Sequence, residues 1–71
     1  MYNEFVKLYC DHYGLEVKVV NHMNWVFENN CKIGYFSDNE KIITFTNGTV
    51  VKKGDLALSI IEGTNLHSQE V

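Results

Sequence analysis

The sequence predicts an α+β fold: an N-terminal helix packed on an antiparallel meander of four to five short strands. Residues 1–63 form a single compact domain in this reading, followed by a flexible C-terminal tail over residues 64–71. Three observations carry it. A capped segment near the N-terminus spaces its apolar residues as a helix does, the apolar period falls to two from Leu15 onward, and short Asn-, Asp- and Gly-rich turns separate the extended runs. Such turns join antiparallel neighbours but are too short for parallel crossovers. The 71 residues cannot be divided into two units that each enclose a core.

Asn3 is placed to cap a helix with Glu4 in its first turn, and Gly14 supplies the left-handed residue that ends it, so the helix is expected over 3–13. Tyr2, Phe5, Val6, Tyr9 and Tyr13 share one side of the wheel, while Asn3, Glu4, Lys7 and Asp11 lie opposite. Leu8 and His12 flank the apolar stripe on one side and Cys10 on the other. The combined arc of roughly 200° is wider than one sheet face covers. Leu8 and His12 are therefore candidates for contact with another chain.

Leu15, Val17 and Val19 then alternate with Glu16 and Lys18 as a half-buried strand does, and residues 21–24 break the pattern. Residues 25–28 and 31–36 are rich in β-formers and are joined at Asn29-Asn30, which reads as a hairpin. A turn at 37–40 leads to another strand over 41–46. Asn47-Gly48 predicts a two-residue type I′ turn, facing Thr46 to Thr49, Phe45 to Val50 and Thr44 to Val51. Ile43, Phe45 and Val50 would then share the helix-facing side, with Thr44, Thr46, Thr49 and Lys53 outside. Asp55 could cap a short helix, but the alternation of Leu56, Leu58 and Ile60 favours a last strand over 56–61. The polar residues from Thr64 onward are expected to fray.

Residues 49–56 (TVVKKGDL) resemble the Val-x-Lys-Gly-Asp hairpin of lipoyl and biotinyl carrier domains. The likeness implies a β-turn-β unit there. The surroundings of the modified lysine of those domains have no counterpart, so no carrier function comes with it.

Six lysines, no arginine and nine acidic residues give a net charge of −3. Phosphate-backbone binding needs a basic stripe, usually with arginine, so nucleic acid is not an expected partner. The first ten residues lack a secretory apolar run and no stretch approaches a membrane span, so the chain is read as cytoplasmic and without a membrane partner. There Cys10 and Cys31 would be reduced and packed as small hydrophobes.

The residue types of a zinc site are present in Cys10, His12, His22 and Cys31, but Cys-x-His on a helix directs its two side chains apart. Asp11 beside Cys10 raises a thiol pKa, opposite to what a nucleophile requires. Asp38 and Glu40 fall on a turn too small to set two carboxylates across a cleft. Asn47-Gly48-Thr49 matches a glycosylation acceptor, yet a hairpin turn accounts for it. The reading is a protein that is not an enzyme and has no cofactor or bound metal.

Aromatic residues are the more informative feature. Trp25 and Phe27 point to one side of the sheet and Val26 and Glu28 to the other, with Cys31, Ile33 and Tyr35 opposing Lys32, Gly34 and Phe36. One helix covers one face, so apolar rings are left in water, and exposed Trp and Tyr are the usual anchors of interfaces. The expected function is stoichiometric protein–protein binding through Leu8, His12, Trp25, Tyr35 and Phe36. Size, acidity and the absence of arginine suit an inhibitor or adaptor encoded by a phage or mobile element and directed at a host protein. The alternative is a homo-oligomeric assembly protein, a homodimer being the simplest form, and behind it a regulator that binds a small ligand or metal.

Overall fold

The computed structural model describes residues 3–68. Helix α1 (Glu4–Tyr13) is followed by strands β1 (Glu16–Val20), β2 (Met23–Glu28), β3 (Cys31–Phe36), β4 (Ile42–Phe45) and β5 (Val50–Lys52). A 3₁₀ turn (Lys53–Asp55) leads into helix α2 (Leu56–Glu62). The strands form one antiparallel sheet in chain order, β1-β2-β3-β4-β5. This is the predicted α+β meander, with a second short helix added.

Helix α1 starts and ends where its caps dictate. The Asn3 side chain accepts from Phe5 N–H at 2.7 Å, and Gly14 adopts φ +69°. Leu15 N–H returns to the Cys10 carbonyl at 2.8 Å, closing the C-terminal turn while Cys10 and Leu15 both enter the core. Val6, Tyr9 and Cys10 face inward, whereas Phe5 is exposed. The Tyr2 end of the predicted stripe lies outside the described residues.

The segment predicted as a last strand is helix α2. Its buried residues, Leu56 and Ser59, are three apart. Its end carries the same signal as α1: Gly63 at φ +75°, with Gly63 N–H on the Ile60 carbonyl and Thr64 N–H on that of Ser59. Alternation over six residues cannot separate strand from helix, and Gly63 two residues beyond Ile61 was the better indicator. No hairpin forms at 52–55, so the β-turn-β implied by the carrier-domain likeness is also corrected.

Two of the four hairpins have two-residue turns with both central residues at positive φ: Asn21-His22 and Asn29-Asn30. Asn47-Gly48 does not. Thr44 pairs with Val50 and Ile43 with Val51, Gly48 N–H bonds the Phe45 carbonyl, and only Gly48 of the loop has positive φ. The loop is thus three residues long, a tight turn closed by a left-handed glycine. This one-residue shift reverses the predicted faces of β5 only; Ile43 and Phe45 stay on the helix-facing side as expected. Val51 packs on the core, and Val50 is turned to solvent.

Both helices lie on the same side of the sheet. The core between the layers consists of Val6, Tyr9, Cys10, Leu15, Val26, Ile33, Phe36, Ile43, Phe45 and Leu56. Phe36, expected at a partner surface, is 2% exposed. It pairs with Asn24 on the inner face, and Lys53 Nζ lies 4.7 Å from its ring centre. Lys53, expected outside, is 5% exposed and donates to the Ser37 carbonyl at 2.8 Å.

The described part of the predicted tail is docked, not frayed. Asn47 Nδ2 donates to the carbonyls of Leu66 and Ser68, Tyr13 Oη donates to that of Thr64, and His67 is buried. Residues 69–71 of that prediction lie outside the described residues.

Candidate functional site

The face of the sheet turned away from the helices is built by strand alternation. On β2 it receives Met23, Trp25 and Phe27, and their β1 partners Val20, Lys18 and Glu16 share it. Tyr35 pairs with Trp25 on one side and with Thr44 on the other. Ile42 with Lys52, and Thr44 with Val50, extend the face to β5.

A bulge places the decisive residues. Val26 pairs with Gly34 but Phe27 pairs with Lys32, which leaves Ile33 as an extra residue on β3. Ile33 and Gly34 therefore both face the core, and Lys32 and Tyr35 both face outward. A regular strand would have put Lys32 and Tyr35 on opposite sides, as the alternation predicted. The close pairing of strands at this point also needs a bare backbone. A Cβ on Gly34 would lie 2.9 Å from Phe45 Cδ1 and 3.1 Å from the Thr44 carbonyl oxygen.

The result is a tilted aromatic pair flanked by lysines. The Trp25 and Tyr35 ring centres are 5.2 Å apart at 49°, Lys32 Nζ lies 4.5 Å from the Trp25 ring, and Lys18 Nζ lies 4.8 Å from that of Phe27. Tyr35, Ile42, Val20 and Val50 are exposed; Trp25 and Phe27 are half-buried. Among the described residues the close contacts of a basic side chain with a carboxylate are Lys7–Asp11 and His67–Glu28, the latter an ion pair only when the imidazole is protonated, so Lys18, Lys32 and Lys52 have no carboxylate partner there.

The five predicted contact residues do not form one site. Trp25 and Tyr35 are brought together on the outer face, and Phe36 is in the core. Leu8 and His12 are exposed on α1 in the other layer, where Leu58 and Ile61 of α2 are also exposed. Lys18, Phe27 and Lys32, which the sequence reading did not single out, belong to the outer face. Pairing of Lys18 with Trp25 was recoverable from a two-residue turn at Asn21-His22, whereas the bulge had no sequence signal.

Two further polar features lie off this face. An open cleft of about 450 Å³ is lined by Asn3, Phe5, Asp38, Glu40, Lys41 and Lys53, among others. One of its acids, Asp38, accepts from the buried Asn24 side chain at 2.9 Å. At the far end of the core, Tyr9 Oη lies 2.8 Å from His67 Nδ1 and accepts from Leu66 N–H, and His67 Nε2 lies 3.5 Å from Glu28 Oε2. Burial pushes the Tyr9 hydroxyl up to about 12 and lowers the His67 pKa, the Glu28 carboxylate opposing the latter shift.

Burial, and after it Asp11, push the Cys10 thiol up to about 12, which keeps it protonated and inert near neutrality. Cys31 is exposed, contrary to its expected packing. Among the described residues no three His, Cys, Asp or Glu side chains gather where they could hold a metal ion, and no helix is long and apolar enough to cross a membrane.

No protein-family model, curated protein or solved structure matches this chain.

Proposed function

We propose that this protein acts by stoichiometric binding to another protein through the outer face of its sheet, anchored on Trp25 and Tyr35. The observation that carries the reading is the aromatic pair itself, 5.2 Å between centres on a face that neither helix covers. Aromatic side chains are enriched at the centres of interfaces, and charged ones gather at their rims. A standard interface takes about 800 Å² from each partner, roughly a sixth of this chain's 4860 Å². One side of a two-layer domain supplies that area. An inhibitor or adaptor, encoded by a phage or mobile element, acts in this way.

The test is capture of a binding protein from the source organism by immobilised wild type, compared with Trp25→Ala and Tyr35→Ser. Loss of the captured protein with both variants, each still folded by circular dichroism, is the expected outcome. Retention by both sinks the reading.

A second reading, self-association, is favoured by a different observation: Ile61 is 81% exposed, and Leu58 and Leu8 are each 53% exposed on the helical layer. Light scattering across a concentration series separates the two. A monomer throughout leaves only a foreign partner, whereas a dimer abolished by Ile61→Asp assigns the helical layer to a second copy.

A further inference from the structure

The outer face differs from the rest of the chain in charge. Among the described residues its strands carry Lys18, Lys32 and Lys52 against the one carboxylate of Glu16, a local charge of +2 on a protein whose net charge is −3. The three lysines have no ion-pair partner among the described residues, and two of them sit on the rings of the aromatic group. We infer that the occupant of this face is an acidic protein segment, with Asp or Glu side chains interspersed among aromatic or aliphatic ones. This rests on the reading of the face as a protein-binding surface and adds the chemistry of the partner.

Charge complementarity selects that partner over the alternatives. Two copies meeting through this face would set lysines against lysines, and like charges juxtaposed in an interface are costly. Single-stranded nucleic acid is also anionic, but it binds by stacking bases on open ring faces. Here Lys32 lies over the Trp25 ring and Lys18 over that of Phe27, so those faces are occupied. A carboxylate approaching from the side meets the ammonium groups without displacing them, while its apolar neighbours reach Tyr35, Ile42 and Val50. Each carboxylate would supply the countercharge that Lys18, Lys32 and Lys52 do not find among the described residues.

The experiment is a titration of the isotope-labelled protein, followed by amide and Trp indole NMR shifts, with three probes. These are a synthetic peptide alternating Asp and Glu with Phe and Leu, the same peptide with lysine at every acidic position, and oligo-uridine. The acidic peptide is expected to shift Lys18, Trp25, Lys32 and Tyr35 most. Its affinity should fall roughly tenfold or more in the Lys18→Glu/Lys32→Glu variant and fall with added salt. The proposal is overturned if the acidic peptide leaves the face unshifted, if the basic peptide binds there as tightly, or if oligo-uridine binds there more tightly. Binding of the basic peptide at Trp25 and Tyr35 would overturn the acidic partner while leaving a protein-binding face. Loss of that face itself is read separately, by the Trp25→Ala and Tyr35→Ser capture.

Discussion

The Tyr9 hydroxyl lies 2.8 Å from Nδ1 of His67, joining residues 58 apart across the end of the core. Leu66 N–H donates to the same oxygen at 2.9 Å, so the phenolic hydrogen is available to Nδ1 and the ring proton is assigned to Nε2, facing Glu28. Tyr13 packs edge-on against His67, with centres 5.0 Å apart, and Phe45 lies on another side. One residue from the C-terminal segment thereby completes a core begun by the first helix.

Tyr9→Phe keeps the ring and removes the oxygen, leaving His67 Nδ1 and Leu66 N–H without this partner. A loss of about 1–3 kcal/mol is expected, the cost of stranding buried polar groups. Urea unfolding checks it: the midpoint should drop with an unchanged slope. A variant as stable as wild type would remove any role for the bond in anchoring the segment.

The His67 contribution depends on pH, with a definite sign. Burial lowers its folded pKa below the ordinary 6.5, with the Glu28 carboxylate opposing. The folded state therefore binds fewer protons than the unfolded one in that range. Its contribution is complete above about 6.5 and is lost as pH falls through the folded pKa. His67→Phe should flatten this part of the stability profile, and Glu28→Gln should move the His67 NMR titration lower still. A His67 midpoint above 6.5 in wild type would contradict the assignment.

Gly34→Ala should destabilise by about 1–3 kcal/mol, the usual cost of adding a methyl group to a full core. The new Cβ would meet the ring of Phe45 and the Thr44 carbonyl. Phe45→Leu in the same background should recover part of that loss if the ring edge is the obstacle. Thermal melting of the two single variants and the double variant measures the coupling.

Lys53→Met retains the buried stem but removes the ammonium that donates to the Ser37 carbonyl and lies over Phe36. Hydrogen bonds to charged groups contribute about 1.5–3 kcal/mol, so a loss of that order is expected. Hydrogen exchange should also quicken around residues 37–40, whose turn the lysine holds. Unchanged exchange there would place the effect elsewhere.

Several elements were legible before any tertiary structure. Asn3 and Gly14 bound the first helix by local chemistry, and alternating residues from Leu15 to Phe45 marked the meander. The expectation that rings would remain outside the core followed from counting layers, and it holds for Trp25 and Tyr35. It failed for Phe36, because which side of a strand faces the helices depends on pairing that alternation alone does not reveal.

The amino-acid sequence alone determined the helix caps, the two-residue turn at Asn29-Asn30 and a strand order set by short connections, since each depends on interactions within a few residues. Tertiary structure decided the register after Asn47, the helical state of residues 56–62, the docking of His67 and the bulge at Ile33. These depend on what a segment meets across the core. Packing of Phe45 over Gly34 and of Leu56 into the core supplies energies that local preference does not contain. The outer face belongs to the second group: without the bulge, Lys32 and Tyr35 would stand on opposite sides of the sheet.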